Sequence, residues 1–474
     1  MSPSRNNDNV VVNRTFTEIA IGESATLVRT LTPEDIQMFA ILSGDMNPAM
    51  VDPEFAKSSM FREVIAHGMW GGALISTVLG TQFPGPGTIY IDQSLHFSRP
   101  VRVGDTLTVQ VTCERKFEHN KHVILDCLCS NQDGETVIIG KAEVLAPTEK
   151  ISRKRADMPH LVLAQTHAAR YERLLRITDG LPCIPMAVVH PCDEESLKGA
   201  LLARDRNLII PTLVGPEDRI RALAEIHHLD LRDCRFVSVP HSHAAAEVAV
   251  KLARNGEVDA LMKGGLHTDE LMSEVIDKHT GLRTNRRISH VFVMDVPTYP
   301  RLLLITDAAV NVAPTLMEKA DIVQNAIDLA RMLKVPEPKV AILAAVEMVN
   351  PNMQATLDAA ALCKMADRGQ ITGGLLDGPL AFDNAVSRAA ANTKKIRSVV
   401  AGQADILVVP DIESGNMLAK QLEYLADALS AGVVLGARVP IVLTSRADSA
   451  ESRLASTALA VVMAQNKVEQ RNAQ

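Results

Sequence analysis

The chain has 474 residues, too long for one ordinary hydrophobic core, so two or three domains are expected. Hydrophobic residues at 47% and charged residues at 22% describe a soluble globular protein, and a net charge of −7 excludes a general nucleic-acid binder, which needs concentrated Lys and Arg. The polar opening MSPSRNNDNVVVNRT lacks the apolar core of a secretory signal, and no uninterrupted apolar run reaches membrane-spanning length. Seven cysteines without C-x-x-C spacing fit reduced thiols better than a disulfide framework or a zinc site, so a cytoplasmic protein with no membrane partner is expected. Cys127 and Cys129, two apart in a strand-like run, are expected to be buried.

Residues 1–15 read as a flexible tail, and a first domain is expected over residues 16–147. Residues 16–31 alternate like a strand. Thr32-Pro33-Glu34-Asp35 then reads as a helix N-cap with Pro at the first helical position, and the helix ends near Gly44. Residues 65–81 (IAHGMWGGALISTVLGT) are almost wholly apolar at helical length, with His67 and Gly68 at the start; a helix apolar all round must be wrapped by other structure. Residues 88–97, 106–117, 122–131 and 136–145 read as strands with short connections, and Asp133-Gly134 is a hairpin signal. An antiparallel sheet curled around one buried helix is the economical reading.

The segments SGDMNPAMVD (43–52), IAHGM (65–69) and LHFSRPVRVGDTL (95–107) resemble the MaoC-like (R)-specific enoyl-CoA hydratases, across the whole domain. The resemblance implies the hot-dog fold, a tendency to dimerise, and a D-x-N-P-x-H motif whose Asp and His add water across an enoyl-CoA double bond while a Gly amide holds the thioester oxygen. Asp45, Asn47 and Pro48 match, and Gly68 stands near the helix start, but Met50 takes the place of the motif His. A thioether neither takes nor gives a proton. The expectation is therefore an acyl-CoA-shaped tunnel with weak or no hydratase activity. Asp45 remains as a candidate to activate water, and His67 is expected as a helix-start residue bonded to backbone.

Residues 148–157 carry the basic run KISRKR without apolar periodicity and read as a solvated linker, with a second domain over residues 158–474. After a helix at 166–179 the pattern alternates: strand 186–190, helix 193–204, strand 209–214, helix 217–227, helix 244–255 and strand 260–263. Such alternation implies an α/β sheet covered on both faces, with ligands beyond the carboxyl ends of its strands. The loops there include Lys263-Gly264-Gly265-Leu266-His267-Thr268, with Thr268 read as a helix N-cap, and Ser445-Arg446, which follows a strand at 439–443 and precedes a helix at 449–465. Lys263, the glycines and the helix start at His267 and Thr268 suit a phosphate or nucleotide moiety. Arg283, Arg286 and Arg287 form a cluster that suits anions or, equally, ordinary surface pairing. Asp448 with Glu451 reads as a capping box for the last helix.

LMKGGLHTDELM, GLRTNRRISHVFVMD, MADRGQITGGLLDGPLAFDNAVS, ADILVVPDIESGNMLAKQL and VPIVLTSRADS together resemble the phosphate acetyl/butyryltransferases, over essentially all of the second domain. The resemblance implies an α/β domain of two subdomains with a cleft, the second subdomain inserted at roughly 290–435. It also implies reversible acyl transfer between CoA and inorganic phosphate, with acyl-CoA, phosphate and acyl phosphate as small-molecule partners and neither metal nor cofactor. The family's Ser-Arg pair falls on Ser445 and Arg446, Ser to bond the phosphate and Arg to offset its charge or that of the oxyanion. The acetyltransferase branch has a downstream Asp as base for the CoA thiol; gap-free counting puts Ser452 there, and Asp448 is the nearest carboxylate. A non-catalytic acyl-CoA sensor and a hydratase with a scaffold domain are the alternative readings, and a homo-oligomer is expected by analogy.

Overall fold

Four long alternating segments close into one antiparallel sheet in the computed structural model, which describes residues 10–154, 167–445 and 448–472 and divides into units of residues 1–163 and 164–474. The first unit runs β1 (Val10–Val12), β2 (Ser24–Thr30), α1 (Pro33–Ser43), α2 (Pro48–Val51), α3 (Pro53–Ser58), α4 (Gly68–Thr81), β3 (Ile89–Phe97), β4 (Thr106–Phe117), β5 (His122–Ser130), β6 (Thr136–Leu145) and β7 (Ser152–Lys154). The sheet order is β2-β4-β5-β6-β3. Leu107, Val109, Val111 and Cys113 on β4, and Val123, Leu125, Cys127 and Cys129 on β5, alternate into the core. Against them α4 buries Trp70, Ile75, Val78 and Leu79, each aliphatic side chain contributing roughly 1.5–3 kcal/mol. The helix lies so close to the sheet that a Cβ on Gly71 would stand 2.3 Å from Ile138 Cδ1.

Three expectations change here. Only β2 of the segment 16–31 is strand; Phe16 and Ile19 are instead buried from a turn that ends at Gly22, whose φ is +87°. The helix starts at Gly68, and one side of it faces solvent. That side carries Ala73, Ser76, Thr77 and Gly80, residues cheap to expose, and Thr77 donates its hydroxyl to the Ala73 carbonyl at 2.9 Å. Finally, parts of the presumed tail and linker pair as strands: β1 lies antiparallel to β7, and Lys150 Nζ donates to the Asn13 carbonyl at 2.6 Å.

The second unit runs α5 (His167–Leu175), β8 (Ile184–Val189), α6 (Glu194–Asp205), β9 (Ile209–Gly215), α7 (Glu217–Ile226), β10 (Arg235–Ser238), α8 (Ser242–Asn255), β11 (Ala260–Lys263), α9 (Thr268–Ile276), β12 (Ser289–Asp295), β13 (Leu303–Thr306), α10 (Leu316–Met332), β14 (Lys339–Leu343), α11 (Gln354–Asp367), β15 (Leu375–Leu380), α12 (Phe382–Val386), α13 (Arg388–Thr393), β16 (Ile406–Val408), α14 (Ile412–Leu425), β17 (Leu429–Leu435), β18 (Ile441–Val442) and α15 (Ala450–Asn472). One sheet of 11 strands, ordered β10-β9-β8-β11-β18-β17-β12-β13-β16-β14-β15, passes through the whole unit. From β10 to β18 neighbours are parallel, as they are from β13 to β15. Between these halves β17 and β12 run antiparallel to each other and to their outer neighbours.

The chain leaves the first half after α9, builds the second as β12 to β17, and returns as β18, which pairs beside β11. β18 is only Ile441–Val442, shorter than the apolar run around it, because its chain turns away to make the Ser445 loop. Ionic contacts fix the joint: Arg170 on α5 holds Asp295 at the end of β12 at 3.3 Å, both nearly inaccessible, and the exposed Asp427 before β17 at 3.0 Å. No described helix is long and apolar enough to cross a membrane.

Candidate active site

Elements of both halves of the sheet line one cleft of about 890 Å³ in the second unit. Thr268 opens α9; His290 and Phe292 project from β12; Ala308 and Ala309 follow β13; Ile412, Glu413, Asn416, Met417 and Lys420 face in from α14; and Leu443, Thr444 and Ser445 follow β18. Ser445 is exposed into this space, whereas Asp448 is buried behind it.

The Ser445 turn is closed from both ends. The Ser445 amide donates to Asp448 Oδ2 at 2.7 Å, and the Asp448 amide donates to the Ser445 carbonyl at 3.2 Å. Arg446, between them, lies outside the described residues. The expected capping box is replaced: Ser449 Oγ accepts the Ser452 amide at 3.3 Å and caps α15, which frees Asp448 to turn back to Ser445. Burial pushes the Asp448 pKa up, against the Ser445 amide and Lys420, whose Nζ stands 3.9 Å from Oδ1. Ser452, at the position of the acetyltransferase Asp, is buried and donates to the Ser430 carbonyl at 2.8 Å, so it faces the sheet.

Beneath the turn sits Arg453, fully buried, a residue the sequence did not single out. Its Nη1 donates to Thr444 Oγ1 at 2.6 Å and to the Lys263 carbonyl at 3.3 Å, and Nη2 donates to the Ser445 carbonyl at 3.0 Å. Lys420 also escaped the sequence reading. Burial works against its charge, but the Glu423 carboxylate at 2.8 Å, with Asp448 nearby, raises its pKa overall.

The Lys263-Gly264-Gly265 loop has a different use from the one expected. The Gly264 amide donates to the Val189 carbonyl at 2.9 Å and the Gly265 amide to the His190 carbonyl at 2.8 Å, so these amides are occupied. A Cβ on Gly264 would come within 2.4 Å of the Val189 oxygen. The glycines therefore permit close packing of the β8 and β11 loops and do not cradle an anion. Lys263 is buried, its Nζ directed to the Gly264 carbonyl at 3.4 Å. His267 takes the N-cap position of α9, and Thr268, expected there, is the first helical residue.

None of the three clustered arginines is among the described residues lining the cleft. Arg283 is exposed, and its backbone bridges to Ala437. Arg286 pairs with Asp328 in a separate groove of about 800 Å³ at the C-terminal end of β17. Arg287 pairs with Glu318 at 2.8 Å and donates from Nε to Asn311 Oδ1 at 2.7 Å. For Arg286 and Arg287, carboxylates on α10 absorb the charge that the sequence left open.

In the first unit a cavity of about 320 Å³ is lined by Met50, His67, Gly68, Gly71, Phe97, Val137 and Ile138, among others. Asp45 and Asn47 are exposed outside this lining: Asp45 Oδ1 accepts the Asn47 amide at 3.3 Å, and Asn47 Oδ1 caps α2 through the Ala49 amide at 3.1 Å. His67, at the N-cap of α4, donates from Nε2 to the Asp45 carbonyl at 2.9 Å, which leaves Nδ1 as an acceptor without a partner.

Comparison with known proteins agrees with this division. Residues 240–461 match the family model for phosphate acetyl/butaryl transferases, and residues 18–126 that for the MaoC-like domain. A phosphate acetyltransferase of Rhizobium meliloti is 60% identical over 296 residues, 62% of this chain and 94% of that protein. A phosphate butyryltransferase of Clostridium acetobutylicum is 43% identical over 282 residues, 60% of this chain and 94% of the other. Among solved structures, a branched-chain phosphotransacylase from Enterococcus faecalis superposes with a TM-score of 0.52 at 30% identity, covering 59% of this chain and 99% of that one. The chain belongs to the phosphate acetyl/butyryltransferase family, with a MaoC-like hot-dog domain ahead of the transferase domain, and is an acyltransferase.

Arg453→Met removes the donors for the Lys263 and Ser445 carbonyls. The expected outcome is a loss of about 1–3 kcal/mol of stability in chemical denaturation, with acyl transfer reduced further than the unfolded fraction explains. Unchanged activity in the folded variant would show that the guanidinium does not set the Ser445 turn.

Proposed function

We propose that the second unit transfers a short acyl group, acetyl or butyryl, reversibly between CoA and inorganic phosphate, and that the cleft around Ser445 is where it does so. The observation that carries this reading is the exposed Ser445, with the buried Asp448 carboxylate behind it, at the rim of a cleft that mixes apolar side chains with Glu413, Asn416 and Lys420. Phe292, Ile412, Met417 and Leu443 suit an acyl chain, while Ser445, together with the adjacent Arg446 by family resemblance, suits the phosphate. Asp448 is the group we assign to the CoA thiol, which must lose its proton to attack acyl phosphate.

The test is phosphate-dependent release of thiol from acetyl-CoA and butyryl-CoA by the full chain. Ser445→Ala is expected to lower kcat/KM for phosphate by roughly tenfold to a hundredfold, the worth of one hydrogen bond to a charged group, and Arg446→Gln by at least as much. Tight acyl-CoA binding with no thiol release under any phosphate concentration would favour a non-catalytic sensor.

Asp448→Asn separates catalysis from stability. Its folded pKa is raised above 3.8, so the stability tied to its proton is complete below 3.8 and is lost as pH rises through the folded value. The permanently neutral Asn avoids that loss. The variant is expected to melt at or above the wild-type temperature near neutral pH while its thiol-consuming rate falls; a variant of unchanged rate would remove Asp448 from the chemistry.

For the first unit we infer a domain that binds acyl-CoA but hydrates it poorly, because Met50 supplies no proton transfer where the family has His. Crotonyl-CoA hydration by the full chain is expected to be slow and to rise in Met50→His; robust wild-type turnover would overturn this. The exposed Ile89, Tyr90 and Ile91 on edge strand β3 support pairing with a second copy, and a single-chain mass in sedimentation would count against a homo-oligomer.

A further inference from the structure

Lys420 is half-buried on α14 and lines the cleft from the β12–β17 half of the sheet, whereas Ser445 lines it from the returning β18. Glu413, Asn416, Met417 and Lys420 recur at helical spacing, so one face of α14 presents all four to the opening. With His290 kept neutral by burial, Lys420 is the one cationic side chain among the described lining residues. Glu413, the one carboxylate among them, stands seven residues earlier, roughly 10 Å along the helix. A phosphate dianion entering from solvent therefore meets positive charge on this wall at Lys420.

The ammonium is both held in place and held charged. Nζ donates to Glu423 Oε2 at 2.8 Å, stands 3.9 Å from Asp448 Oδ1 and lies 5.5 Å from the centroid of the Tyr424 ring. Burial opposes the charge, but Glu423, with Asp448 beyond it, raises the Lys420 pKa overall, so the side chain is fully protonated at neutral pH. One of its three N–H donors goes to Glu423, which leaves donors for a ligand. A lysine that only braces a helix gains nothing from facing a cleft: an i,i+3 pair contributes about 0.2–0.5 kcal/mol and would do so on the solvent face as well. Asp448 Oδ2, in turn, accepts the Ser445 amide at 2.7 Å, so a single carboxylate separates the ammonium from the Ser445 turn. One phosphate can span that separation.

We propose that Lys420 is a phosphate-binding residue of the transferase site, donating to inorganic phosphate, or to the phosphoryl group of acyl phosphate, from the α14 wall while Ser445 holds it from the other. The proposal rests on the acyl-transfer reading of this cleft given above. Bound in this way, the phosphate joins the two halves of the sheet, and oxygens held from both walls leave a further oxygen to face the acyl carbon. Glu423 then has two opposed effects. It keeps the ammonium charged and oriented, but its carboxylate competes with the phosphate for that ammonium. Removing Lys420 and removing Glu423 therefore act on phosphate affinity in opposite directions.

The experiment measures thiol release from saturating butyryl-CoA by the full chain as inorganic phosphate is varied. No phosphate-dependent release by the wild type defeats the transferase reading and the proposal with it. Given wild-type turnover, Lys420→Met is expected to raise KM for phosphate about tenfold to a hundredfold, the worth of one charge-assisted hydrogen bond, with KM for butyryl-CoA little changed. Lys420→Arg, which keeps the charge, is expected to recover most of that loss. Glu423→Gln is expected to lower KM for phosphate about twofold, because it removes a like charge beside the anion. A folded Lys420→Met with KM for phosphate within about twofold of wild type would overturn the proposal and leave the transferase reading standing. So would a Glu423→Gln whose KM for phosphate rises alongside that of Lys420→Met, the mark of a pair that only braces α14. If Lys420→Met does not fold, Lys420→Gln replaces it under the same criterion.

Discussion

One buried guanidinium holds the site in place. Arg453 joins the end of β11 through the Lys263 carbonyl, the end of β18 through Thr444, and the Ser445 turn through its carbonyl, all from the first turn of α15. Desolvating a guanidinium is costly, and it is tolerated here because carbonyl oxygens, with Asp193, Asp448 and Glu195 more distantly, surround the charge. The space for it comes from α6: a Cβ on Gly199 would lie 2.8 Å from Arg453 Cβ. Lysine, a point charge on a flexible stem, lacks the planar fork that reaches three acceptors at once.

The remaining geometry follows from the antiparallel pair β12–β17. Because these strands separate two parallel halves, the halves run in opposite directions, and the loops after β13 and β16 meet the loop after β18 and the start of α9 around His290 and Phe292. The same arrangement places the segment before β12 at the C-terminal end of β17, which is why Arg283 and Arg286 are drawn away from the cleft. Gly264 and Gly265 act one layer further back, letting the β11 loop press onto the β8 loop so that Thr268 reaches the opening.

Local chemistry made much of the fold legible. Thr32 and Asp35 form the reciprocal cap that their spacing announces, the period-two runs of β4 and β5 are buried in alternation, and Asp133-Gly134 makes its hairpin with Gly134 at φ +75°. What escaped depends on contacts between distant segments. Pairing of β1 with β7 joins residues more than 130 positions apart and has no local signature. Glycines read the same whether they cradle an anion or admit a neighbouring carbonyl. In the site, Ser445 and Asp448 stood out through the junction of strand and helix. Arg453 left one trace, an arginine on the buried face of a helix whose other inward residues are small or apolar, such as Ala450, Leu454, Thr457 and Val461. His290 left none, because alternation along a strand does not say which of its two faces borders a cleft.

Two of the buried histidines, His67 and His290, show how little burial alone decides. Their ring nitrogens are engaged in different ways. His67 donates from Nε2 to the Asp45 carbonyl, and a carbonyl can only accept, so the proton is fixed on Nε2 and the orphan Nδ1 is a lone pair. An unsatisfied acceptor is the cheaper defect, and the ring is committed to holding the Asp45 turn, which makes it a poor substitute for the imidazole that Met50 replaces. His290 instead stands between the Leu443 backbone, which hydrogen-bonds its ring, and the Asp307 carboxylate, while burial keeps the ring neutral.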